Sequence, residues 1–595
     1  MKRLLSLILL FTSFPLLAQD LMPPLLPWSG QSESLIVEDS NPWVTPGELT
    51  DLTESPTYKE TMDWLQKLAN SSPYLEMKSL GKSEQGRDIF LLIASKSQKF
   101  SPEELAQENK ATLFFHGGIH AGEIDGKDAG MMLLRDIVHG DKMQLLDKAN
   151  ILFIPILNVD GHERRSEFGR VNQRGPKEMG WRTNARNLNL NRDYTKVETS
   201  GVKAVISVLN SYQPDLYVDV HVTDGADYQY DVTYGYVKTG GYSPAISQFL
   251  SETFQTEVDQ ALKDWGHIPG PLLFAANGDD FSEGNIAFSF SPRFSHTYGD
   301  ARHIPSILIE NHSLKPFRQR VLGTYVFLEQ AISTISSHHD AIEKAIANDQ
   351  AQAKKELIVR FKFRDNPADT MDFLGIASQK LKSPNTGAEY VQWLGKPITQ
   401  QVPSLLMDVP AASVNLPKAY YIPVEWTEVI EKLKIHGIEM ETLTGPLEIE
   451  LEFDFLTDYQ LANQQLEGKV RFRSFETTPI QRKVTLNPGS VRVNTDQEKG
   501  ILAALLLEPQ SVDSFFQWGY FMPILSQTEY IEAYILEPMI VQMLGKDPEL
   551  KQEFEAKKAD DSEFASNPRQ IYRWFYEKTP YFDQNWKVIP IGKSR

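Results

Sequence analysis

Ala111-Thr112-Leu113-Phe114-Phe115-His116-Gly117-Gly118-Ile119-His120-Ala121-Gly122-Glu123 is the stretch on which the reading of this chain turns. Ala111–Phe115 is an apolar run of strand length. A glycine-bearing turn follows, and Gly126–Val138 then carries a helical pattern. The alternation extends on both sides. Tyr74–Leu80 and Ile89–Ala94 read as strands around the turn-rich Gly81–Gly86, behind a helix opened by the capping-box spacing Thr57/Glu60. Downstream, Ile151–Leu157, Leu216–Val220 and Ser306–Ile309 have strand length, while Ser200–Ser211, Ile246–Trp265 and Pro316–Ser336 are helical. Strands alternating with helices predict an α/β layered domain with a mixed or parallel sheet over residues 57–345.

The rest of the chain frames this domain. With 595 residues, 41% of them hydrophobic and 23% charged, the sequence suits a folded protein of several domains. A net charge of -19 disfavours nucleic acid and anionic lipid as partners. The absence of cysteine excludes disulfides, thiolate nucleophiles and cysteine-bound metal, so any metal must sit on His, Asp or Glu. Residues 1–18 read as a signal peptide: Lys2 and Arg3 precede an apolar run too short to span a bilayer. No later stretch is long and apolar enough to cross one. The protein is therefore expected to be exported and soluble, in the periplasm or outside the cell. Residues 19–56, rich in proline, read as a surface-hugging lead-in. Residues 345–355 look charged and linker-like. Beyond them, residues 350–490 read as β-rich or α+β accessory structure and 491–595 as a C-terminal α/β region, with Ile501–Leu507 as core.

Three strand ends carry the chemistry. His120-x-x-Glu123 on a tight turn can aim an imidazole and a carboxylate at one ion, although chance produces that spacing often. His221 follows the run Leu216–Val220, and Glu310 ends Ser306–Ile309. In open α/β sheets crevices form beyond the carboxyl ends of strands, so these groups can converge. A catalytic zinc needs three protein ligands and an open position, and His₂Glu is a known set. Arg182, and the pair Asn191-Arg192, add donors suited to a carboxylate or a developing oxyanion. His116 reads as a strand-end histidine that supports the site, and Asp125 as a first-turn helix charge.

The ordered set Gly81-x-Ser83-x-x-Gly86-Arg87-x-Ile89, His120-x-x-Glu123, Asn158-Val159-Asp160-Gly161, Trp181-Arg182, Leu190-Asn191-Arg192, His221 and Glu310 resembles the zinc carboxypeptidases over roughly residues 57–340. The resemblance implies a mixed-sheet, three-layer catalytic domain of a bacterial exported member, with one Zn2+ held by His120, Glu123 and His221. It further implies Glu310 as general base, Arg182 on the scissile carbonyl, and Asn191 and Arg192 on the substrate's terminal carboxylate. Departures from the family pattern are visible. Asn189 stands where the family has an aspartate supporting the first zinc histidine, and Val222-Thr223-Asp224 follows His221. The family's mobile tyrosine has no clean match, and Tyr298 is the candidate.

The resulting expectation is a zinc metallopeptidase that removes residues from peptides with a free C-terminal carboxylate. Two alternatives stay open: an exported amidase or deacylase of the same scaffold acting on γ-D-glutamyl bonds of cell-wall peptides, and a peptide-binding module without catalysis. The sequence leaves the oligomeric state undetermined.

Overall fold

Four parallel strands at the centre, joined antiparallel to the flanking strands on either side, make up the main sheet of the computed structural model, which describes residues 21–287, 291–352, 355–367 and 369–595. The expected export signal over residues 1–18 lies outside the described residues. The eight strands are β1 (Leu75–Lys82), β2 (Asp88–Ala94), β3 (Ala111–Gly117), β4 (Ala149–Ile154), β5 (Leu216–Val222), β6 (Val232–Gly235), β7 (Pro269–Pro271) and β10 (Ser306–Asn311), in the spatial order β1-β2-β4-β3-β5-β10-β6-β7. β4, β3, β5 and β10 run parallel. The chain goes from β3 to β4 on one side and then crosses to β5 on the other. The carboxyl end of β3 therefore lies at a switch point, where neighbouring connections diverge and leave a crevice.

Strand periodicity decides which side chains reach that crevice. Leu113, Phe115, Val218, Val220, Ile307 and Ile309 alternate onto one face and join a large core. That core includes the helices Asp125–His139 and Phe317–Ser337. The intervening positions, His116, Asp219, His221 and Glu310, fall on the opposite parity. Register then aligns them: His116 lies beside Asp219, and Glu310 beside His221.

The lead-in is more than a surface wrap. Prolines there prevent ladder hydrogen bonding but not burial: Leu35 and Leu52 enter the main core, and Glu48, 3% exposed, accepts from Arg135. The linker expected at 345–355 is also corrected in part. Helix His339–Gln350 continues through it, burying Ile342, Ala345 and Asp349, and Asp349 accepts the backbone N–H groups of Ala245 and Ile246. Along Ile246–Trp265 the single helical pattern is split into Pro244–Phe249, a π turn at Leu250–Phe254, and Gln255–Asp264.

Contacts divide the chain into two units at places composition does not mark. The first runs to Leu416 and takes in Glu428–Met440 and Val493–Ser514. It therefore includes the strands β11 (Glu356–Lys362), β12 (Asp369–Lys382), β13 (Glu389–Leu406) and β14 (Val409–Asn415). It also includes the fully buried helix Gly500–Leu507. Within it a four-stranded sheet, in the order β12-β13-β9-β8, is built with the hairpin β8 (Ala275–Asn277) and β9 (Asp280–Ala287). The second unit comprises Pro417–Thr427, Glu441–Arg492 and Phe515–Arg595. Its long hairpin, Leu447–Leu461 with Phe472–Leu486, packs a small apolar cluster around Leu451 and Phe453. Its terminal helices hold a separate cluster around Leu536, Phe554 and Phe575.

Candidate metal centre

A tight turn after β3 brings the first two groups together. Gly118 takes φ +68°, in the left-handed region that glycine enters without strain. A Cβ on Gly122 would lie 2.5 Å from Arg170 Cδ and 2.8 Å from the Gly180 carbonyl, so only glycine lets these segments close. His120 and Glu123 then face each other, with His120 Nδ1 at 3.1 Å from Glu123 Oε1. From the end of β5, His221 Nδ1 lies 3.0 Å from Glu123 Oε2 and 3.2 Å from His120 Nδ1. All three residues are at most 3% exposed. Their ligand atoms lie within 4.8 Å of one another, so two imidazoles and a carboxylate address one common point.

The far side of each imidazole is tied down, as metal-binding histidines require. His221 Nε2 donates to Asp219 Oδ2 at 2.7 Å, which leaves the Nδ1 lone pair turned inward. His120 Nε2 donates to Asn189 Oδ1 at 3.0 Å, so the amide carbonyl does the work of the family's usual carboxylate, without its charge. The two imidazoles titrate in opposite directions. Burial pushes His120 down to about 4. Burial also opposes protonation of His221, but the Asp219 charge and hydrogen bond lift it to about 10. Two neutralisable imidazoles and one carboxylate in a dry, supported cluster fit a zinc ion of the His₂Glu kind.

Glu310, at the end of β10, lines the same cavity of about 330 Å3 together with His120, Glu123 and Arg182. Its Oε2 is buried without a hydrogen-bond partner among the described residues. Burial pushes the Glu310 carboxyl up to about 8, with Glu123 and Asp224 adding to the rise and His221 opposing it. A divalent cation nearby acts against that rise.

Arg182 keeps 35% of its side chain exposed and lies 3.2 Å from Glu123 Oε1. Its position follows from a chain of contacts among the quoted motifs. Ser83, Gln85 and Arg87 all bond to Asp160. Asn158 Oδ1 accepts from Gly161 N, and the Gly161 carbonyl accepts from Trp181 N, next to Arg182. Motifs that look independent in sequence thus form one brace.

Three expected residues sit elsewhere. Asn191, 4% exposed, accepts Ser295 N at 3.0 Å and holds its amide 3.3 Å from His221 Nε2, so it supports the ligand shell and does not line the cavity. Arg192 donates to the Asn191 carbonyl at 2.7 Å and stacks over Phe294. Tyr298 is fully buried, its hydroxyl 2.8 Å from His436 Nδ1, and is absent from the cavity lining. Spacing before Glu310 cannot tell which way a tyrosine points, and here it points into the core.

Further residues frame the cluster, and of them Arg170 is the one the sequence did not single out. Arg170 pairs with Glu123 Oε1 at 2.8 Å with only 10% of its side chain exposed. Asp219 was visible as the residue two before His221, a strand neighbour on the same face. His116 donates or accepts with Tyr217 Oη at 2.7 Å, deep under the site. Asp125 is a first-turn charge of helix Asp125–His139, buried there in an ion pair with Arg320.

Geometry of this kind can hold a metal ion beside a buried carboxylate, as a metal-dependent hydrolase requires. Residues 61–263 match the family described as zinc carboxypeptidase. Over those residues the chain carries a zinc carboxypeptidase domain, which marks it as a hydrolase of the metallocarboxypeptidase kind. Carboxypeptidase 2 of Trichophyton rubrum is 24% identical over 82% of this chain and 89% of its own length. Human carboxypeptidase B is 33% identical over 17% of this chain and 24% of its own. Among solved structures, a metallo-carboxypeptidase from Pseudomonas aeruginosa is 20% identical, with TM-score 0.36, covering 49% of this chain and 71% of that one. No helix among the described residues is long and apolar enough to cross a membrane.

Proposed function

We propose that the protein removes residues from the carboxyl end of peptides, with His120, Glu123 and His221 holding one zinc ion. The observation that carries this reading is the convergence of that triad, Glu310 and Arg182 on a single cavity. Zinc, when bound, supplies Lewis acidity that makes water nucleophilic at neutral pH. The protein groups do the rest. Glu310 accepts the proton of the attacking water and returns it to the departing amine nitrogen. Arg182, the exposed cation of the cavity, donates to the carbonyl oxygen as negative charge grows there. Asp219 and Asn189 keep both imidazoles oriented throughout. Arg192, stacked over Phe294 outside the cavity lining, must leave the Asn191 carbonyl and swing inward to hold the substrate's terminal carboxylate with a bidentate bond.

An exported location is part of the same proposal, resting on the order of charged, apolar and small residues at 1–18. A role in binding alone would require a damaged ligand or base, and the assembled cluster favours turnover.

The experiment is release of C-terminal residues from a peptide series with free and amidated termini, run on wild type and Glu310→Gln with zinc analysis of each. Retained zinc with turnover reduced by about a thousand-fold or more in the variant is expected. Equal cleavage of amidated and free peptides would remove the exopeptidase reading.

A further inference from the structure

We propose that Tyr228 is a further catalytic residue of this cavity, its hydroxyl donating a hydrogen bond to a carbonyl oxygen of the bound peptide. The proposal rests on the reading of the cavity as a peptide site. Tyr228 is 2% exposed and lines the cavity beside Glu310, Thr223 and Asp224. Its hydroxyl makes no hydrogen bond of ordinary geometry among the described residues, its polar neighbours being the Thr223 and Thr233 hydroxyls. Thr233, a neighbour, already donates its own hydroxyl to the Glu310 carbonyl at 2.7 Å.

Buried polar atoms are nearly always bonded, and an orphan is costly to keep. This cavity contains two: Tyr228 Oη, which has a proton to give, and Glu310 Oε2, an acceptor when ionised. One donor and one acceptor left open in the same cavity complement a peptide group, which presents one C=O and one N–H.

The rest of the residue is held as a rigid mount for that hydroxyl. The Tyr228 ring stacks on His312 at 4.1 Å, and its backbone N–H donates to His312 Nε2 at 3.2 Å. Phe281 meets the ring edge-on at 6.4 Å, and the Tyr228 backbone bridges to Gly375 on β12. A ring packed on both sides and left with an open hydroxyl at the cavity points to a role for that hydroxyl, because a phenylalanine would fill the same space without the cost. Burial also keeps the phenol protonated well above neutrality, so it stays a donor at working pH.

The test is Tyr228→Phe in the full chain, measured for zinc content, melting temperature, and kcat/KM on a C-terminally free peptide. The expected result is a kcat/KM lower by about ten-fold to a hundred-fold, with zinc retained and melting temperature unchanged or raised. A second readout is calorimetric affinity of the same peptide for Glu310→Gln with and without Tyr228→Phe, where the double variant should bind more weakly. A kcat/KM within two-fold of wild type overturns the proposal. So does a fall in melting temperature that accounts for the lost activity, since that marks a structural role. Wild type inert towards all peptides would instead remove the peptide reading, and this inference with it.

Discussion

Asp219→Asn probes how the protein prepares a metal ligand that it does not itself touch the substrate with. The carboxylate is fully buried, and its Oδ2 accepts from His221 Nε2 at 2.7 Å while Oδ1 lies 3.4 Å from His116 Nδ1. An amide of the same shape has one oxygen and one NH2. If the oxygen faces His221, the hydrogen bond survives but loses its charge. If the NH2 faces His221, the imidazole must carry its proton on Nδ1, the atom turned towards Glu123. Either arrangement weakens the inward lone pair. Loss of such support lowers metal affinity by about ten-fold to a hundred-fold, or about 1.4–2.8 kcal/mol. Zinc titration against a competing chelator measures this directly, with urea unfolding of the metal-free protein as the control for folding. A zinc affinity within two-fold of wild type, in a variant that folds normally, would refute the argument that Asp219 holds His221 in its binding tautomer.

Other outcomes follow from the scaffold. Glu48→Ala strands the buried Arg135 guanidinium, leaving it only Asp136 and the Leu35 carbonyl; a loss of about 3 kcal/mol in denaturant unfolding is expected, and no loss would show the lead-in to be dispensable. Gly130→Ala puts a methyl 2.5 Å from Phe153 Cζ, where helix Asp125–His139 packs on β4, and should cost about 1–3 kcal/mol in the same assay. His162 and His436 are buried and pushed down to about 4 and about 3, so the folded protein holds them neutral. Protonation then favours the unfolded chain: their contribution is full above pH 6.5 and is lost as the pH falls below it, by about 2 kcal/mol per group near pH 5. Urea unfolding between pH 7 and 5 should show that decline, and His436→Gln should flatten it.

Much of this was readable from residues alone because it is local. The runs at Ala111, Leu216 and Ser306 became β3, β5 and β10 nearly as bounded, since apolar strands between turns have few other options. The triad and Glu310 were legible for the same reason, each falling at or just past a strand end. What escaped depends on distance. Proline at 23–56 announced irregular backbone but not that Glu48 would meet Arg135, 87 residues away. Tyr298 was chosen by its interval to Glu310, and an interval along a helix does not fix the face; the structure seats it against His436. Tyr228 carries no motif at all, and its place is set by His312 and Gly375.

The hairpin Ala275–Ala287 contributes Ala275, Asp279 and Phe281 to the cavity lining, and it is itself carried by β13, through the pairs Ser404 with Asn285 and Leu405 with Ile286. A fragment pruned back to residues 61–263, the stretch that matches the family, would keep every metal ligand and still lose Glu310 and this wall, leaving Tyr228 without Phe281 against its ring. The smallest autonomous catalyst within this chain therefore extends at least to Leu406, and attempts to transplant its chemistry must carry the later strands along.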